Sequence, residues 1–317
     1  MILSTLDKSR KGGAYEQIPS LVLGQRWTPQ LNSRNMMKVV LCVWIEPYIE
    51  NDLSFCVWPV HTPTTSKEVL TLSASTSPLP YTGNKSCIVN TILSVMPKHT
   101  VYIDPCMGSA EVFFRKPRAE KEILNDYNGD LVNLFRVIQN NEKLAYLLGR
   151  LYLSINGELA FKQNKDRLKG VPNILDDVIE TSQIFYDASW EDIQNAAAFL
   201  ENQVYSFSST GQTFGIARRD MSQRLPRLMS AYNRIRDAII LHRDYKDVIT
   251  YAACPGSFIL LDPPYKGTED MYSKANFDIE QHDILFSFMS EVNQQHHGEV
   301  KFLITYNNDC LLYTSPS

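Results

Sequence analysis

The stretch Phe258-Ile259-Leu260-Leu261-Asp262-Pro263-Pro264-Tyr265 decides how this chain is read. Four apolar residues in a row suit a strand buried on both faces, and an acid followed by two prolines ends it abruptly. In an open α/β sheet the ligand crevice lies outside the carboxyl ends of the strands, which is where this loop falls. Chance explains it poorly, since a given tetrapeptide turns up in about one chain in five hundred of this length. The prolines stiffen the loop and remove two amide donors, leaving the Asp262 carboxylate and nearby carbonyls as acceptors.

Acceptors suit an amine. The exocyclic amine of a nucleobase is a poor nucleophile because its lone pair is delocalised into the ring. Hydrogen bonds from both N–H groups to Asp262 and the Pro263 carbonyl favour a pyramidal nitrogen with its lone pair exposed, and Tyr265 offers a face for stacking. A proline-rich turn with a capping Asp and a packed Tyr is the plain alternative.

Working outward, Val101-Tyr102-Ile103 leads into Asp104-Pro105-Cys106-Met107-Gly108-Ser109-Ala110 and a helix start running to Arg115. This is strand, small-residue turn, helix. The turn has one Gly where a dinucleotide fingerprint has three, and it opens with an acid, which suits a cationic cofactor better than a pyrophosphate. Ile123-Leu124 ends in Asn125-Asp126, about where an acid accepts hydrogen bonds from a ribose diol. Asp126 could equally cap the helix expected over Asp130 to Gln139. Ala238 to Leu241 and Lys301 to Thr305 supply further strands. Alternating strands and helices imply an α/β fold with a parallel sheet covered on both faces.

The chain has 317 residues, net charge −4, 44% hydrophobic and 21% charged residues. Collagenous, mucin-like and largely disordered chains are excluded, and coating nucleic acid by bulk charge is disfavoured. Met36 to Ile45, broken by Lys38, is far short of the roughly 20 residues that cross a bilayer. Met1 to Gly13 lacks the apolar core of a secretory signal, so a cytoplasmic location is expected. The six cysteines form no CxxC pair and no close His spacing, which reads as reduced thiols and no metal site. Residues 1–77 show one strand-like run, Val39 to Trp44, then Pro-, Thr- and Ser-rich sequence, and read as a poorly ordered or upstream extension.

Residues 145–235 interrupt the alternation as an inserted helical subdomain. Over 217–246 eight basic residues face three acids, and Arg218, Arg219, Arg224 and Arg227 suit a phosphate track. A solvated helix face is the plain alternative. The loop from Tyr205 to Gly215 has the aromatic, hydroxyl and glycine content of a wedge that opens a duplex.

The order Pro80-Tyr81-Thr82-Gly83-Asn84-Lys85-Ser86, then Asp104-Pro105-x-x-Gly108-Ser109, Asn125-Asp126, an insertion and Asp262-Pro263-Pro264-Tyr265 resembles the Dam-type DNA adenine-N6 methyltransferases of the alpha motif order. The resemblance runs from about residue 79 to 309. It implies a Rossmann-like sheet with helices on both faces, S-adenosylmethionine as cofactor, and double-stranded DNA as partner, with a restriction endonuclease as a candidate second partner. The catalytic domain would then span 78–144 and 236–309, with target recognition in 145–235. By the same resemblance Tyr81 and Lys85 line the adenine and methionine ends of the cofactor, and Asp104 with Gly108 borders its methionine portion. Asp126 holds the ribose hydroxyls, and Asp262, Pro263, Pro264 and Tyr265 hold a flipped adenine.

The chain departs from the family at Cys106, which usually is aromatic, and at Ala110, usually Gly, where the extra methyl is expected to crowd the cofactor. Past Asp309 the family continues through further strands, so a bare sheet edge is expected, and 310–317 reads as a non-native tail. Two other readings stay open: a non-catalytic DNA-binding or cofactor-sensing module, and an amino-methyltransferase for cytosine or RNA.

Overall fold

The computed structural model describes residues 41–46, 54–59, 76–176, 188–216, 219–264 and 279–305. Strands β1 (Leu41–Glu46) and β2 (Ser54–Pro59) pair antiparallel, with Leu41 opposite Pro59 and Glu46 opposite Ser54. The N-terminal segment therefore holds a two-stranded element of which only the first run was anticipated.

Five more strands build the main sheet: β3 (Val101–Asp104), β4 (Lys121–Asn125), β5 (Ile239–Leu241), β6 (Ser257–Leu261) and β7 (Lys301–Ile304). Their order is β5-β4-β3-β6-β7, and every pairing is parallel. From β3 the chain adds β4 and β5 on one side, then returns to lay β6 and β7 on the other. The boundary between β3 and β6 is thus a topological switch point, the place where such sheets bind ligands. The outer edge strand β7 has β1 lying alongside it, although the two sheets stay separate. The edge expected to be bare has this neighbour.

Period-two alternation sorts the strand side chains onto two faces. Tyr102, Leu124, Phe258, Leu260 and Leu303 enter one core, and Ile103, Ile123, Ile259, Leu261 and Ile304 enter the other. On the first face lie α1 (Val89–Val95), α2 (Glu111–Arg115), α3 (Gly129–Gln139), α4 (Asn141–Tyr152), α5 (Glu158–Lys169), α6 (Trp190–Tyr205) and α7 (Leu225–Ile235). The second face is covered by α8 (Tyr245–Ala252) and α9 (Ile279–Gln295). Helix α6, from the insertion, packs along α3 and shares one continuous core with the sheet.

Local capping fixes where the helices begin. Asn128 accepts from the Asp130 amide, Asn140 from those of Glu142 and Lys143, and Ser189 forms a reciprocal capping box with Asp192. Because Asn128 caps α3, Asp126 does not have that role. Its carboxylate is available for other work.

A buried charge cluster ties the insertion to the sheet. Glu122 on β4 meets Lys116 at 2.5 Å and takes both terminal nitrogens of Arg234 on α7, at 2.5 and 2.8 Å. Arg234 also stacks over Phe113 at 3.7 Å, and Lys116 sits 4.4 Å above the Tyr102 ring. Burial pushes the Glu122 carboxyl up, but hydrogen bonds from the two cations outweigh this and hold it below its usual range. Replacing Glu122 with Gln leaves two buried cations short of a counter-charge. That variant is expected to lose about 3–5 kcal/mol of stability, read from the urea unfolding midpoint.

Candidate active site

Parallel pairing in register brings three strand ends to one rim. Asp104 closes β3, Asp126 follows β4 and Asp262 follows β6, and all three line a single cavity of about 550 Å³. Tyr81, Lys85, Gly108 and Pro264 line it too, whereas Pro263 is buried behind the rim. The cavity continues past Asp126 to Asp244 and Tyr245 at the start of α8, and in another direction to Phe199 and Gln203 on α6. Tyr265 and Arg218 lie outside the described residues.

The turn after β3 is held open by unusual backbone. Gly108 has φ +48°, a left-handed conformation, and an added Cβ would meet the Tyr81 ring at 3.8 Å. Ala110 has φ +55° and is buried, which explains the glycine expected there: the methyl costs about 1–2 kcal/mol in this conformation. The Ala110 side chain joins the apolar core beneath the turn. Ala110 does not line the cavity, so the methyl's effect falls on the backbone of the turn and not, as expected, on the cofactor.

Asp126 stitches two loops together, accepting from the Gly108 amide at 3.0 Å and the Asn128 amide at 2.9 Å. Removal from bulk solvent, reinforced by the charge of Asp262, pushes its carboxyl up to about 6 despite these bonds. Asp104 is more enclosed. One of its oxygens accepts from the Tyr102 hydroxyl at 2.9 Å, and the other is buried with no partner among the described residues. Burial, together with the charges of Asp262 and Asp126, lifts its carboxyl to about 7, against the opposing pull of Tyr102 and Lys85.

Asp262 is clasped from both sides. Lys85 donates to one carboxylate oxygen while also donating to the Gly83 carbonyl at 2.8 Å, and the Thr305 hydroxyl donates to the other. Lys85 therefore belongs to the acid at the proline corner as much as to any bound cofactor.

The insertion closes one side of the cavity. Its loop is pinned by the Phe207 amide to the Thr213 carbonyl at 2.8 Å and the Gly215 amide to the Tyr205 carbonyl at 2.7 Å. The Thr82 hydroxyl reaches the Ser209 carbonyl at 3.2 Å, joining this loop to the Tyr81–Lys85 turn. Tyr205 is buried and shares a 2.8 Å hydrogen bond with Ser154, whereas Phe207 at the tip is 68% exposed. Phe207, not Tyr205, is the aromatic available to an outside partner.

The basic segment divides. Arg227 is exposed, and burial, reinforced by the charges of Arg227 and Arg219, lowers the pKa of Arg224. Arg219 also donates to the Val204 carbonyl at 2.5 Å. Arg234 is committed to Glu122, and Arg236 sits beside Asp237 at 3.6 Å. Counting charges along the sequence overstated the track, because ion pairing inside the fold consumes part of it.

A family model for the D12 class of N6 adenine-specific DNA methyltransferases matches residues 81–315. The chain belongs to this class. Among curated relatives, the modification methylase StsI of Streptococcus sanguinis is 25% identical over 247 residues, covering 72% of this chain and 35% of that protein. The modification methylase LlaI of Lactococcus lactis subsp. lactis is 21% identical, covering 70% and 36% respectively. The DNA N-6-adenine-methyltransferase of Escherichia phage P1 is 24% identical, covering 71% and 29%. The chain thus spans about a third of the length of these relatives. In the Rossmann-like sheet of the D12 class, the Asp104-Pro105, Asn125-Asp126 and Asp262-Pro263-Pro264 motifs close or follow strands, whereas Pro80 to Ser86 forms the turn before α1. No helix among those residues is long and apolar enough to cross a membrane.

Sequence reading missed Asp244, Tyr245, Phe199, Gln203 and Thr305 as cavity residues. Asp244 caps α8, accepting from the Lys246 amide, and that capping pattern after a short strand is the signal that could have found it.

The raised carboxyl of Asp104 has a consequence for stability. Between about pH 4 and 7 the folded protein holds a proton that the unfolded chain releases, so this contribution is full at low pH and fades as pH rises through 7. The melting temperature of the ligand-free protein is expected to fall from pH 5.5 to 8. In Asp104→Asn this fall is smaller, as differential scanning fluorimetry across the pH series will show.

Proposed function

We propose that this chain transfers a methyl group from S-adenosylmethionine to the N6 amine of an adenine flipped out of double-stranded DNA. The observation that carries the reading is the convergence of Asp104, Asp126 and Asp262 on one cavity at the switch point between β3 and β6. A cation-bearing cofactor fits it: the unpartnered Asp104 oxygen calls for an ammonium donor, and Asp126 retains acceptor capacity for ribose hydroxyls. The cofactor, when bound, supplies a methyl group on a positively charged sulfur, open to in-line attack.

The residues of the chain do the rest. Asp262 and the Pro263 carbonyl accept the two N–H bonds of the amine, turning its lone pair outward. Lys85 pairs with Asp262 and holds it in place. The face of Tyr265 stacks on the base, repaying part of the few kcal/mol that unstacking costs. Arg219, Arg224 and Arg227 contact phosphates, and Phe207 enters the gap left in the duplex. Catalysis rests on positioning and on a fixed electrostatic setting, with no proton abstraction required before attack. The reading extends to a restriction endonuclease of matching specificity as partner.

Duplex DNA incubated with the protein and S-adenosylmethionine, then digested for nucleoside mass spectrometry, is expected to yield N6-methyladenine. Asp262→Ala is expected to reduce the yield at least a thousandfold, about 10³ being the scale for loss of a key electrostatic group, while DNA affinity stays intact. Methylcytosine, or methylation of RNA alone, would overturn the substrate. DNA binding with no turnover by the wild type would favour the non-catalytic module. Replacing Arg224 and Arg227 together with Gln should weaken DNA binding and flatten its salt dependence by about two charges.

A further inference from the structure

The acid at the proline corner has a partner on the neighbouring strand that no motif marks. Leu261 on β6 is registered with Ile304 on β7, and the Thr305 amide donates to the Leu261 carbonyl at 2.9 Å, so the ladder continues one step beyond the strands. That step sets Thr305 beside Asp262 on the same face of the sheet. Thr305 is 1% exposed, lines the cavity, and donates its hydroxyl to the Asp262 oxygen opposite the one held by Lys85.

From this geometry we infer that Thr305 is a positioning residue that sets the plane of the Asp262 carboxylate. The terminal torsion of an Asp side chain is broad and only weakly self-determined, so its orientation has to be imposed by neighbours. Lys85 alone does not impose it. An ammonium is a rotatable point charge that satisfies a carboxylate over a wide range of angles. A hydroxyl fixed on the next strand, bonded to the second oxygen, restricts that freedom. The corner then meets an incoming amine already oriented.

The inference rests on the proposed methyl transfer, and its tests separate the two. Thr305→Val keeps the shape and deletes the donor; Thr305→Ser keeps the donor. In single-turnover assays on duplex DNA, Thr305→Val is expected to lower the methylation rate about tenfold to a hundredfold, the scale of a misplaced reacting group. KM for the cofactor and DNA affinity should change less than about twofold, and Thr305→Ser should recover most of the rate. A crystal structure of Thr305→Val should show the Asp262 carboxylate turned from its wild-type plane. Wild-type rates in the Val variant, a Ser variant as slow as Val, or an unturned carboxylate would each overturn the inference. A wild type that turns over no adenine, together with a turned carboxylate in the variant, would sink the function and leave the positioning role standing.

Discussion

Three carboxylates gathered at one rim of a parallel sheet repel one another, and much of the surrounding structure answers that repulsion. Asp262 is neutralised by Lys85 and fixed by Thr305. Asp126 is solvated by backbone amides from its own loop and from the turn after β3. Among the described residues Asp104 has only the Tyr102 hydroxyl as donor, and burial, with the charges of Asp262 and Asp126, gives it a high proton affinity. The uneven treatment is informative. All three line the cavity, and Asp104 adds a buried oxygen with no partner among the described residues.

The sheet itself was legible because each strand is a short apolar run closed by a polar or acidic residue. Val101–Asp104 and Lys121–Asn125 alternate between two cores while ending at the same rim. Cavity residues held by strand ends were therefore found from sequence, as with Asp104, Asp126 and Asp262. Those contributed across long separations were not. Phe199 lies mid-helix and Gln203 in the last turn of α6, where nothing local distinguishes them from core positions. Thr305 needed the β6–β7 register, a fact of pairing that no single segment encodes. Asp126 shows a finer limit, since two chemically sensible roles were open until Asn128 proved to be the cap.

Charge was the least legible quantity. A run of arginines looks uniform on paper, yet Arg234 faces inward to Glu122 while Arg227 faces solvent. Helical periodicity does not separate them: seven residues apart, they lie on similar faces, and the difference is made by Glu122 and Phe113 at one end of α7. Composition sets how many cations there are. Tertiary packing decides how many reach a partner.

The clasp of Glu122 on Arg234 has a mechanical meaning. Arg227 stands on the first turn of the helix whose last turn is anchored in strand β4. A load applied at Arg227 is therefore carried along α7 into strand β4, the strand that leads to Asp126 at the cavity rim.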